Sequence, residues 1–167
     1  MIHRIRVPLA VLGALAAATT VLFAIDVVPD PGPGLPDDFD GFVHINSLLV
    51  PDDESPIHGF HHFYMNNRAL GTFRGGGTDE YPDGTIIVGK VYAPEKTDEG
   101  RYREGALAAY TLMQKEAGAL ETRATGGWHF VMFDAEGMNK GVDPVQACFG
   151  CHEPSPGTDF VLSSPLG

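Results

Sequence analysis

The sequence predicts one β-rich α+β domain with a few short helices, set behind an apolar helical segment at the N-terminus. Three observations carry this. Segments rich in β-branched and aromatic residues alternate with a period of two, and clusters of Gly, Pro, Asn and Asp separate them. Helix signals are short and few. One long uncharged run stands apart from the rest at the start of the chain.

That run extends from Val7 to Ile25, behind His3, Arg4 and Arg6, and Asp26 ends it. Its length is about that of a bilayer-spanning helix. Basic residues ahead of it hold that end in the cytoplasm. A cleaved signal peptide, with Ala16-Ala17-Ala18 as small residues for cleavage, and an uncleaved membrane anchor fit equally over residues 1–25. Both place the following domain outside the cytoplasmic membrane, in the periplasm. Residues 26–37 contain Asp30-Pro31-Gly32-Pro33-Gly34-Leu35-Pro36, a Pro/Gly linker. The domain then occupies residues 38–167. Its composition, with 43% hydrophobic and 20% charged residues in the whole chain, is that of a globular unit. A formal net charge of −11 argues against nucleic acid as a partner and suits a cationic redox partner of unknown identity.

Along the domain, Phe42 to Val50 reads as a strand, and Pro51 to Pro56 as a loop. Phe60 to Met65 is a second strand. Its alternation sets His61, Phe63 and Met65 on one face and Phe60, His62 and Tyr64 on the other. Asn66-Asn67 caps a short helix from Leu70 to Phe73, which Gly75-Gly76-Gly77 breaks. Tyr81-Pro82-Asp83-Gly84 is a turn, and Thr85 to Tyr92 is the clearest strand. Gly105 to Lys115 is ambiguous, because Ala and Leu favour helix while the segment is short and Gly-flanked. Trp128 to Phe133 is a strand. Asp143-Pro144-Val145-Gln146 starts a helix, with Asp at N-cap, Pro at N1 and Gln at N3.

That helix carries Cys148-Phe149-Gly150-Cys151-His152, the attachment pattern of c-type haem. Residues three apart share a helix face, so both thiols reach the vinyl groups on one haem edge. His152 follows and serves as the iron ligand. The chain's only two cysteines both lie in the motif. A thioredoxin-like redox pair belongs near the N-terminus of a βαβ unit, and a zinc site needs two more ligands. The expected cofactor is therefore one covalent haem c on Cys148, Cys151 and His152.

With this motif near the C-terminus of a β-rich domain, the chain resembles the cytochrome P460 family, which includes the β-type cytochromes c′. The stretches that carry the resemblance are His61-His62-Phe63-Tyr64-Met65-Asn66, Tyr81 to Val88, Thr125-Gly126-Gly127-Trp128, Ala147 to His152, and Asp159-Phe160-Val161-Leu162-Ser163. The resemblance implies an antiparallel sheet, a strand at Gly105–Lys115, a homodimer, and a haem with an open distal position. It implies binding of nitric oxide or carbon monoxide, or oxidation of hydroxylamine. Hydroxylamine-oxidising members carry a lysine cross-linked to the haem edge. Here that position is Gly89, and Lys90 follows it. Lys90 contacts the haem only if Gly89 forms a β-bulge, since a one-residue shift changes the face.

A distal basic residue in such members matches His61, which becomes the candidate proton-handling group, with Phe63 beside it lining the pocket. Met65, Met113, Met132 and Met138 are candidate sixth ligands, each more often a packing residue. The sequence thus points to an exported monohaem cytochrome that binds or oxidises a small nitrogen ligand. The alternative is a non-enzymatic gas-binding or electron-transfer protein.

Overall fold

The structure, a computed structural model, describes residues 32–55, 57–77 and 79–165. The N-terminal segment read as signal peptide or anchor lies outside the described residues. No helix among the described residues is long and apolar enough to cross a membrane.

Five strands form one antiparallel sheet in sequence order: β1 (Val43–Val50), β2 (Gly59–Met65), β3 (Ile86–Lys96), β4 (Tyr102–Lys115) and β5 (Trp128–Asp134). The fold is therefore a β-rich α+β meander. Gly105–Lys115 lies within β4, as the resemblance implied. Its alanines and leucines favour helix as single residues, but β4 pairs on both sides, with β3 and β5. Tertiary pairing overrides propensity here. Pro94 sits where the β3–β4 register shifts, a place in a strand that tolerates a residue without an N–H.

The helices are short. A 3-10 turn at Asn67–Ala69 leads into α1 (Leu70–Arg74). Asn66 does not cap them with its side chain. Its amide instead donates to the Gly84 carbonyl at 2.8 Å and accepts from the Ile86 N–H at 3.2 Å, fastening the 81–84 turn to β2. Near the C-terminus a π-helical turn, Val145–Phe149, runs into α2 (Gly150–His152). Asp143 Oδ1 accepts from the Val145 and Gln146 N–H groups at 2.9 and 3.1 Å, so the aspartate caps this segment as expected.

The sheet buries residues on both faces. Met65, Ile87, Trp128 and Phe130 pack with Ala69 and Phe73 from the α1 region and with Phe149 and Val161 from the C-terminal segment. On the opposite face Val88, Leu112, Val131 and Phe133 are covered by Leu35, Phe39 and Phe42. Leu35, in the segment read as linker, thus packs on the sheet.

Candidate functional site

Antiparallel register decides which side chains meet. Phe63 pairs with Gly89, and His61 with Val91. Gly89 pairs with Thr111, Ile87 with Met113, and Met113 with Phe130. Paired residues point to the same side, so these form one face. Between that face and the C-terminal segment lies a cleft of about 210 Å³, open along one side. Its lining includes His61, Phe63, Gly89, Thr111, Cys148, Cys151 and His152. Met113 and Met132 also line it, whereas Met65 is buried in the core and Met138 is exposed.

His152 is held in one tautomer. Its Nδ1 lies 2.7 Å from the Phe160 carbonyl, which can only accept, so Nδ1 carries the proton. Nε2 is left with its lone pair, as a metal ligand requires. Burial pushes the imidazole pKa down, against the opposing effect of the Phe160 hydrogen bond, so the ring is neutral at neutral pH. The ring packs against Phe130, with centroids 4.8 Å apart.

Cys148 and Cys151 are free thiols, the first half-buried and the second exposed. Burial raises the Cys148 pKa, with smaller contributions from Cys151 and Asp143. The helical turn brings both to the same cleft. Among the described residues no group of three or more His, Cys, Asp or Glu stands together as a metal site.

His61 and Phe63 stand on β2, three strands from the β5 residue Phe130 against which His152 packs. At the usual strand spacing that separation is about 14 Å along the sheet. The cleft is smaller than a whole haem, which would leave an edge at the open side. His61 is buried and its Nε2 donates to the Ile57 carbonyl at 2.7 Å. Its ring stacks on Phe63 at 5.9 Å. A Cβ at Gly89 would run into Thr111 Oγ1 and come within 3.0 Å of the Phe63 ring. The bare backbone at Gly89 therefore forms part of the cleft wall.

Lys90 corrects an expectation. The register is unbroken from Val88 to Val91 against both neighbours of β3, so there is no bulge at Gly89. Lys90 consequently faces away from the cleft. Its Nζ donates to Asp40 at 3.0 Å and lies over Phe39 and Tyr64, at 4.9 and 5.4 Å. Burial pushes its pKa down, but the hydrogen bond and charge of Asp40, together with Tyr92 and Tyr64, outweigh that and leave it raised.

Two groups behind the His152–Phe160 contact carried no signal in the sequence. Lys115 is buried and pairs with Asp159 at 2.7 Å. A lysine at the end of an ambiguous segment carries no sign of burial, since lysines are rarely buried unless paired. Asp159 belongs to a stretch that carried the family resemblance, but nothing in its spacing revealed a partner 44 residues away.

Comparison with known proteins agrees with this arrangement. The family model for cytochrome P460 matches residues 36–163. A search of curated proteins finds no match for the chain. The matched range takes in the whole sheet, the cleft and the CxxCH segment, and members of the family bind haem. The chain belongs to the cytochrome P460 family.

Proposed function

We propose that this protein is an exported monohaem c-type cytochrome that binds a small neutral ligand, of the nitric oxide or carbon monoxide kind, at an open haem iron. The single observation that carries the reading is the arrangement of His152: a neutral imidazole, protonated on Nδ1 by its bond to Phe160 and free at Nε2. It shares one cleft with two free thiols at the c-type spacing. The haem, when bound, supplies an iron centre that coordinates the ligand and exchanges electrons.

The residues do the rest. Cys148 and Cys151 would hold the haem edge through thioether bonds, and His152 would ligate the iron. His61, Phe63 and the Gly89–Thr111 wall line the other side of the cleft and set its polarity and access. While His61 Nε2 is bonded to the Ile57 carbonyl, only Nδ1 is available to a ligand. Gas binding is favoured over hydroxylamine oxidation because the lysine associated with that chemistry is absent from the cleft face. Export through the N-terminal apolar run, as a soluble or anchored periplasmic homodimer, completes the reading, with a cationic redox protein as electron partner.

The test is the absorption spectrum of the reduced protein, produced in a host with c-type haem maturation. An ordinary high-spin c-type spectrum that shifts on adding carbon monoxide is expected. A red-shifted, broadened Soret band would indicate a lysine cross-link and return the protein to hydroxylamine oxidation. A spectrum without haem would overturn the reading altogether.

A further inference from the structure

The carbonyl that holds His152 stands on unusual backbone. Asp159 and Phe160 have φ values of +48° and +65°, two successive non-glycine residues in the left-handed region. Such residues are strained and persist only where their surroundings fix them. Here the surroundings are visible. Asp159 Oδ2 accepts from the Tyr81 N–H at 2.9 Å, and Oδ1 takes Lys115 Nζ at 2.7 Å. The Phe160 N–H donates to the Ser155 carbonyl at 2.9 Å. The Phe160 ring lies where a Cβ at Gly126 would stand, and meets Phe149 edge-on at 5.1 Å.

Lys115 is built to hold the aspartate. Only 1% of its side chain is exposed. Besides Asp159, Nζ donates to the Gly126 carbonyl at 3.3 Å, lies 3.5 Å from Glu80 Oε1, and sits 5.2 Å from the centre of the Trp128 ring. A buried pair of this kind is a poor source of net stability, because desolvation offsets most of the attraction. Replacement by apolar residues would fill the space as well. What the pair does that apolar residues cannot is hold a carboxylate at a fixed place beneath a turned backbone. The connection runs from Lys115 to Asp159, from Asp159 along one residue of left-handed chain to the Phe160 carbonyl, and from there to His152 Nδ1.

We infer that Lys115 and Asp159 are positioning residues for the proximal ligand, acting through the Phe160 carbonyl to fix the tautomer, orientation and electron-donating strength of His152. The inference rests on His152 being the iron ligand. Groups bonded to the far nitrogen of a ligating histidine raise its basicity, and their loss weakens the metal site. A well-held carbonyl strengthens the Nδ1–H bond, makes the imidazole more electron-rich and stabilises the ferric state.

The experiment uses the full chain matured with haem, and compares Asp159→Asn and Lys115→Met with wild type. Asp159→Asn keeps the shape and an acceptor for the Tyr81 N–H while removing the charge. Both variants should retain covalent haem, since the thiols are untouched. Both should show a lower iron–histidine stretching frequency in resonance Raman spectra of the ferrous protein, and a higher reduction potential. The double variant should move these no further than the larger single change, because the two residues act as one unit.

Unchanged frequency and potential in both folded variants, even with a lower melting temperature, would overturn the inference and leave the pair a packing feature. Should neither variant fold, Lys115→Arg carries the same two readouts with the cation retained but displaced. A wild-type protein with haem but no iron–histidine band would overturn the assignment of His152, and the inference with it.

Discussion

The two faces of one stretch of sheet have opposite chemistry. On the cleft face, Phe63, Gly89 and Thr111 run side by side across β2, β3 and β4 and present an aromatic ring, bare backbone and a hydroxyl. One residue along, His62, Lys90 and Tyr110 run across the same strands on the other face. There Lys90 bonds Asp40, and His62 Nε2 lies 2.6 Å from Glu104. The difference teaches that a single step of register decides whether a cation reaches the cleft. A strand alternates its side chains strictly, so a lysine next to the right position is on the wrong side.

The sharpest way to break this comparison is to remove one group from each side. Cys148→Ala takes away one of the two thiols proposed to hold the haem and should abolish or greatly weaken the haem stain on a denaturing gel. Lys90→Met should leave the stain and the visible spectrum as in wild type. Its pair with Asp40 is solvent-exposed on the carboxylate side, so its loss should cost less than about 1 kcal/mol in urea unfolding. A spectrum altered by Lys90→Met would show that Lys90 acts on the cofactor after all.

A smaller effect is expected from filling the cleft wall. In Gly89→Ala the new Cβ meets Thr111 Oγ1 and the Phe63 ring, so these neighbours must give way. The cost should be about 1–3 kcal/mol of stability, with slower carbon monoxide association measured by flash photolysis. An unchanged association rate would mean that ligands do not pass along this wall.

The smallest effect belongs to Tyr81, in the cleft-side core. Its hydroxyl is buried without a hydrogen-bond partner among the described residues. Burial, and then the charge of Asp159, push its pKa up to about 12. The unfolded chain loses this proton near the ordinary value of about 10, while the folded state keeps it. The tyrosine therefore contributes stability that is complete below about pH 10 and is lost as pH rises towards 12. Tyr81→Phe should change stability at pH 7 by less than about 1 kcal/mol and should flatten the alkaline decline. An identical decline in thermal melts would place the effect elsewhere.

Much of the cleft was legible in the residues. The CxxCH spacing brought Cys148, Cys151 and His152 together because helical neighbours three and four apart are close in space whatever the rest of the fold does. The alternation of Phe60 to Met65 put His61 and Phe63 on the face that lines the cleft, since strand periodicity is local geometry. Asp143 capped its helix for the same reason. Asn66 behaved differently: its amide was free to choose among partners, and a turn 18 residues away won over the adjacent helix.

By itself, then, the sequence determined the haem-type motif, most strand positions and the face each side chain takes, because these follow from distances of a few residues. Only the tertiary structure decided that Gly105–Lys115 extends as β4, since pairing with β3 and β5 outweighs the helix preference of its alanines. It also decided the unbroken register that turns Lys90 outward, because a bulge depends on both neighbouring strands. And it decided the meeting of Lys115 with Asp159, which are 44 residues apart. No local rule brings a lysine and an aspartate into one dry space; only the packed sheet and the returning C-terminal loop do that.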